Sequence, residues 1–329
     1  MKPDVSVIIP CRNEAETITL LLDALFNQSY PREQLEVVIA DGMSEDSTRK
    51  QIAEYQAQHP EMMIKVVDNP QRIIPAALNR AIEASTGEFI IRLDAHSIPS
   101  KDYIARSVQG LKDNLAENIG GVWDIAPQNE APIAKAIAAA AAHPLAVGGA
   151  KYRFAEMAEY VETVPFGAWR RSTLQALGGY DESLLTNEDY ELNTRLTQQG
   201  GRIYLDPKIR SVYFARPDLP SLATQYWRYG YWKAQMLKRY PGSLKMRQAL
   251  PPLLVSGFTI LLFLAIVFTG MRSLFLITTS LYLFVLLGIG TQIAIQKKDI
   301  IMIPLVAAAV ACMHFAWGTG FLFGSVSKH

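Results

Sequence analysis

Cysteine is almost missing from this chain of 329 residues: there are two, Cys11 and Cys312, one near each end. Two thiols so placed build no disulfide framework, which suits a reducing compartment. An excess of charge is missing too. The 32 Lys and Arg nearly cancel the 31 Asp and Glu, for a formal net charge of +1. No basic stripe marks the soluble part, so nucleic acid is not an expected partner. No glycine-rich phosphate loop follows the first apolar run, which argues against a dehydrogenase and against an ATPase. That run ends at Pro10 after about five residues, too short for the apolar core of a secretory signal, so none is expected here. Internal repeats are absent, and the only low-complexity tract, the alanines at 136–142, reads as a helix.

What is present is alternation. A β-rich run, Val5-Ser6-Val7-Ile8-Ile9-Pro10, opens through a polar turn into a helix over 15–26. A second strand at 36–40 ends at Asp41-Gly42, and Ser44, Asp46 and Ser47 can cap the helix over 48–59. A strand at 65–67, a helix at 75–84 and a buried strand at 88–93 continue the pattern, which predicts an α/β, doubly wound, mostly parallel sheet.

Directly after that last strand stands Asp94-Ala95-His96. Ligands of open α/β sheets sit outside the carboxyl ends of strands, where this triplet emerges. A hard carboxylate oxygen and an imidazole nitrogen suit Mn²⁺ or Mg²⁺ carrying the phosphates of a nucleotide. A turn or cap is the other reading of such a triplet. Further on, Asn187-Glu188-Asp189 leads into a helix over 190–199, where acidic side chains also favour the helix dipole. Between the two, Phe166-Gly167-Ala168-Trp169-Arg170-Arg171 follows an expected strand at 161–165. An aromatic beside two arginines suits stacking on sugar faces and clamping of anions, or simply a basic helix start on a packed turn.

Past Pro241 the composition changes. Uncharged apolar runs at about 253–269, 274–295 and 300–323 have the length to cross a hydrocarbon core of ~30 Å. Just upstream, the aromatic and basic stretch 221–240 reads as an interfacial helix. Lys238, Arg239, Lys245 and Arg247 precede the first run and Lys297 and Lys298 follow the second, while only Arg272 lies between them. Positive-inside bias then expects a cytoplasmic soluble domain and, after three crossings, a C-terminus outside.

Taken in order, Val5 to Glu14, Ala40-Asp41-Gly42, the stretch Ala77-Leu78-Asn79-Arg80-Ala81-Ile82 through Gly87-Glu88, the Asp94 triplet and Asn187-Glu188-Asp189 resemble a family 2 inverting glycosyltransferase. The likeness covers roughly residues 5–230 and, with the membrane tail, is greatest to bacterial succinoglycan-type exopolysaccharide glucosyltransferases. It implies a GT-A-like nucleotide-sugar fold followed by an interfacial helix and three transmembrane helices. Pro10, Asn13, Glu14 and Asp41 would form the nucleoside pocket of a UDP-sugar. Arg72 would pair with the base or diphosphate. Asp94 and His96 would hold Mn²⁺ or Mg²⁺; the family more often has Asp in the third position of this motif. Asp189 would be the catalytic base, with Glu188 orienting it. Phe166, Trp169, Arg170, Gln225 and Tyr229 would line the acceptor side. Arg228 would meet the leaving diphosphate, because residues 225–229 resemble the Gln-x-x-Arg-Trp segment of processive members, with Tyr229 in place of Trp.

The expectation is therefore a glycosyltransferase domain at 1–220, an amphipathic region at 221–249 and a transmembrane domain at 250–329. Its reaction would pass a sugar, glucose for preference, from a UDP-sugar to a hydroxyl of a lipid-linked or polysaccharide acceptor at a bacterial inner membrane. Membrane lipids, and a second copy or a polysaccharide assembly complex, are its expected partners. Two alternatives stand beside it: a polyprenyl-phosphate sugar transferase, and a non-catalytic subunit of an assembly complex.

Overall fold

The computed structural model describes residues 2–327. Among the described residues nine strands are formed: β1 Val5–Cys11, β2 Leu35–Asp41, β3 Met63–Asp68, β4 Phe89–Arg92, β5 Ile98–Pro99, β6 Asn118–Pro127, β7 Glu159–Tyr160, β8 Ala168–Arg170 and β9 Ile203–Ala215. The helices are α1 Ile18–Phe26, α2 Thr48–Gln58, α3 Ile74–Ala84, α4 Tyr103–Lys112, α5 Pro132–Ala141, α6 Pro144–Val147, α7 Arg171–Leu177 and α8 Glu188–Gln198. They continue with α9 Leu219–Arg239, α10 Met246–Val267, α11 Met271–Lys297 and α12 Met302–Val326.

Two compact units result. The first comprises the residues up to Asp124 together with Phe154–Tyr213; the second comprises Ile125–Arg153 and the chain from Phe214 onward. The sheet runs in the order β3-β2-β1-β4-β8-β6-β9-β5, with β7 beside β9. β1, β2, β3 and β4 pair in parallel, and every residue of β1, β2 and β4 is buried, as expected of strands covered on both faces. The sheet as a whole is mixed, because β8 enters antiparallel to β4 and β6, and β5 and β7 lie antiparallel to β9. The strand expected at 161–165 does not form; β8 lies a few residues later.

At the amino-terminal ends of β1, β2 and β4, close approach depends on glycine. A Cβ on Gly87 would stand 2.7 Å from the Ser6 amide nitrogen. There the buried Glu36 carboxylate accepts from Ser6 Oγ at 2.5 Å, Thr86 Oγ1 at 2.9 Å, Gly87 N at 3.1 Å and Thr86 N. These donors hold its pKa below the ordinary value against the opposing effect of burial.

The second unit gathers around α12. α10, α11 and α12 are long and apolar enough to cross a membrane. α9 and α12 meet along a glycine seam, since a Cβ on Gly230, Gly320 or Gly324 would strike backbone of the other helix. Such close approach lets helices associate where lipid removes the hydrophobic drive. Within α9, Lys233 is buried and bonds Ser243 O at 2.9 Å; burial, helped by Lys245, pulls its pKa down to about 7.

Candidate active site

β4 is four residues long, and its last, Arg92, is a cation in an otherwise apolar strand. It is 3% exposed and its backbone N–H donates to Gly167 O at 3.0 Å, so β8 holds the strand end in place. Its guanidinium fans out to three carboxylates. Nη2 donates to Asp94 Oδ1 and to Glu188 Oε1, both at 3.0 Å, Nε donates to Asp94 Oδ1 at 3.2 Å, and Nη1 donates to Asp189 Oδ1. The planar fork of arginine suits such multiple contacts, and the three anions keep it firmly protonated despite burial.

Asp94 and Asp189, far apart in sequence, therefore meet on one side chain. Asp189 sits in the first turn of α8, entered through Asn187 in the left-handed conformation with φ 69°. Burial raises the Asp189 carboxyl above the ordinary carboxylate range; Arg92 opposes the rise, and Glu188 and Asp94 add to it. With 23% of its side chain still open to solvent, screening tempers that rise. Glu188 is 8% exposed and holds Arg92.

After β4 the turn closes through Ser97, whose N–H and Oγ donate to Asp94 O at 2.9 and 2.7 Å. His96 is fixed by its Nδ1, 3.1 Å from Glu14 Oε1. No described residue bonds Asp94 Oδ2. Among the described residues, no group of three or more His, Cys, Asp or Glu is assembled for a metal ion. The donor set still fits a hard cation that takes its other ligands from phosphate and water, as Mg²⁺ and Mn²⁺ do with one or two protein ligands.

The loops after β1 and β2 are tied together. Asn13, at φ 54°, donates its N–H to Ser44 Oγ at 2.9 Å and accepts from Glu45 N at 2.9 Å. Glu14 N donates to Thr48 Oγ1 at 2.8 Å. Pro10 is buried within β1 beside Ala40. Asp41 is fully buried and accepts from Ser44 N at 3.0 Å, Ser44 Oγ at 2.5 Å and Arg49 Nε at 2.5 Å. It thus supports the loop that shapes this rim. Arg72 is half exposed and pairs with Glu45 at 3.4 Å.

Three residues expected on the acceptor side stand in and just before β8. Trp169 is 1% exposed, on β8 opposite Ile90 and Asn118, so it is sheet core. Phe166 is 4% exposed and packs in the core cluster with Ala168 and Ile91, its ring 6.0 Å from Trp123. Arg170 pairs with Glu88 at 2.6 Å and donates to Leu111 O at 3.0 Å, opposite Phe89 in the register. Because β8 runs antiparallel to β4, the chain after Ala168 heads away from Asp94. Gln225, Arg228 and Tyr229 belong to α9 in the second unit, where Gln225 Nε2 donates to Tyr229 Oη at 3.1 Å and Arg228 is exposed.

Known structures share this architecture. A mannosyltransferase from Pyrobaculum calidifontis, in complex with GDP-Man and Mn²⁺, superposes with a TM-score of 0.65 at 23% identity, over 95% of this chain and 88% of that one. TarS 1–349 of S. aureus with UDP-GlcNAc gives 0.52 at 18%, over 73% and 72%. The fold is that of the GT-A glycosyltransferases. The chain belongs to glycosyl transferase family 2, whose model matches residues 6–177. A curated relative, the succinoglycan biosynthesis protein ExoA of Rhizobium meliloti, is 34% identical over 96% of this chain and 93% of its own. A second, the dolichyl N-acetyl-alpha-D-glucosaminyl phosphate 3-beta-D-2,3-diacetamido-2,3-dideoxy-beta-D-glucuronosyltransferase of Methanococcus voltae, is 31% identical over 71% and 74%. The protein is a glycosyltransferase, and the reading as a non-catalytic subunit falls away.

Proposed function

We propose that this glycosyltransferase works by inversion, moving a sugar, glucose for preference, from a UDP-sugar to a hydroxyl of a lipid-linked or polysaccharide acceptor in exopolysaccharide biosynthesis. Its place would be the bacterial inner membrane, with the catalytic unit on the cytoplasmic side. The observation that carries the reading is the joining of Asp94 and Asp189 through Arg92. One end of that bridge faces a diphosphate-binding turn, the other a helix start that can present a base.

Asp189 takes the proton of the acceptor hydroxyl while the hydroxyl oxygen bonds to the anomeric carbon and the bond from that carbon to the leaving nucleoside diphosphate breaks. Glu188 and Arg92 hold Asp189 in position. Asn13, Glu14 and the loop carried by Asp41 form the nucleoside edge, with Arg72 beside it, and Arg228 stabilises the departing diphosphate. Asp94 and His96 would hold Mn²⁺ or Mg²⁺, which offsets negative charge on that group. A relative named for succinoglycan biosynthesis supports the polysaccharide role. The name of the archaeal relative, a dolichyl-linked sugar phosphate, supports a lipid-linked acceptor.

The test is purified full-length protein in detergent with Mn²⁺, a panel of UDP- and GDP-sugars and a lipid extract, read by mass spectrometry of the product. A hexosylated lipid made from a UDP-sugar, and its loss in Asp189→Asn, is the expected result. Substantial turnover by Asp189→Asn would instead point to a polyprenyl-phosphate acceptor, whose oxygen is already ionised and needs no base.

A further inference from the structure

Alternation along the sequence treats α12 as a third crossing. We propose instead that α12 lies in the plane of the membrane across the open end of an α10–α11 hairpin. Ser327 then returns to the side from which α9 and α10 begin. This inference is independent of the reaction proposed above.

The hairpin closes at its far end, where Arg272 Nε donates to Ala265 O at 3.2 Å. Midway along it, Phe258 packs against Phe275 and Tyr282, with ring centroids 6.4 and 5.5 Å apart. The middle of α12 meets this midpoint. His314 Nδ1 lies 3.2 Å from Tyr282 Oη, and the Phe315 ring lies 6.0 Å from both Phe258 and Tyr282.

From the middle of α12, both directions lead toward the same end of the hairpin. Toward its N-terminus, Ile303 abuts Gly290, so close that a Cβ on the glycine would strike the Ile303 carbonyl. At 1.5 Å per residue, that is about 12 Å along α11 from Tyr282 toward Lys297. Toward its C-terminus, a Cβ on Gly318 would stand 2.6 Å from Pro251 O. That is about 10 Å along α10 from Phe258 toward Met246. A straight crossing helix would approach the open end with one terminus and the closed end, Val267 and Met271, with the other. α12 approaches the open end with both.

The last turns of α12 are also tied to a helix that cannot cross. Gly320 sits against Trp227, and a Cβ on Gly324 would stand 2.6 Å from Tyr231 O. Gln235 Nε2 donates to Gly324 O at 3.0 Å, and Lys238 Nζ to Gly324 O at 3.0 Å and Ser327 O at 2.5 Å. α9 carries Arg228, Lys233, Lys238 and Arg239, and is not among the helices apolar enough to span. Among the described residues, no helix able to span precedes α10. α9 and the catalytic unit therefore share a side, and the Lys238 bond keeps Ser327 there.

The experiment uses the full chain with Cys11 and Cys312 changed to Ala, in sealed membrane vesicles of known orientation. Single cysteines are placed by Lys50→Cys in the first unit, Gly270→Cys in the hairpin turn and Ser327→Cys, then exposed to a membrane-impermeant maleimide before and after permeabilisation. The expected result is that Ser327→Cys labels under the same condition as Lys50→Cys and opposite to Gly270→Cys. Labelling of Ser327→Cys together with Gly270→Cys overturns the proposal. Should the Ser327 variant fail to accumulate, a cleavable C-terminal tag on the otherwise unaltered chain gives the same readout: cut from the catalytic side it supports the proposal, cut from the other it refutes it.

Discussion

Replacing Arg92 by Met removes the one cation shared by Asp94, Glu188 and Asp189 while keeping an unbranched side chain of comparable length. Arg92 is 3% exposed, and its partners' side chains are 25%, 10% and 23% exposed, so little water is at hand to replace it. Removing one member of a buried ion pair costs about 3–5 kcal/mol. For a domain of 150–250 residues, at about 2–4 °C per kcal/mol, that is a fall in Tm of roughly 6–20 °C. The deficit depends on pH in a known direction. Burial already holds the Asp189 carboxyl at about 8 with Arg92 opposing the rise, and without the guanidinium it titrates higher still, so the penalty is full at about pH 10 and shrinks as protonation relieves it toward pH 7. Arg92→Lys restores a charge but offers three donors from one point in place of a fork, and should recover only part of the loss. The assay is thermal unfolding of detergent-solubilised protein at both pH values, read by intrinsic fluorescence. A Tm for Arg92→Met within about 2 °C of the parent at pH 10, or a gap that does not narrow at pH 7, would refute the reasoning.

Other expectations concern the same unit. Asp189→Asn should lower kcat by about 10²–10⁴ with little change in donor KM, measured by UDP release. In the parent, kcat/KM should fall on acidification along a limb lying above the ordinary carboxylate range, since Asp189 must be ionised to accept a proton and its pKa is raised. That limb should be missing from the residual activity of Asp189→Asn. Glu36→Gln should cost about 1–3 kcal/mol in urea unfolding, because Oε1, the one oxygen that accepts all four bonds, loses its negative charge. Since Glu36 has a lowered pKa when folded, its contribution is present above the unfolded pKa of about 4.3 and is lost as the pH falls below it, so parent and variant should converge in acid.

The parallel half of the sheet is legible in the sequence because each strand is a near-continuous apolar run followed by a turn and an amphipathic helix. β1, β2 and β4 are of that kind. The other half is not, because β8 has three residues and β5 and β7 two each, too short for any periodicity to register. Phe166, Trp169 and Arg170 suit a sugar site by composition, but the antiparallel sense of β8 arises only from pairing. Arg92 left a trace, a charge inside an apolar strand, yet nothing local says which carboxylates it meets. Asp94 and the Asn187-Glu188-Asp189 turn stand out by position at element ends, and the fold brings them to one cation. The grouping of Ile125–Arg153 with the C-terminal helices likewise depends on contacts far apart along the chain.

The glycine seam between α9 and α12 has a practical corollary for handling the protein. Backbone pressed against backbone at Gly230, Gly320 and Gly324 coheres mainly by dispersion, with the Lys238 ammonium bonded to Gly324 O and Ser327 O at one end. Concentrated salt should accordingly leave this clasp shut. A short-chain detergent able to wedge between the two helices should part it, so the choice of solubilising agent decides whether the C-terminal helix stays seated.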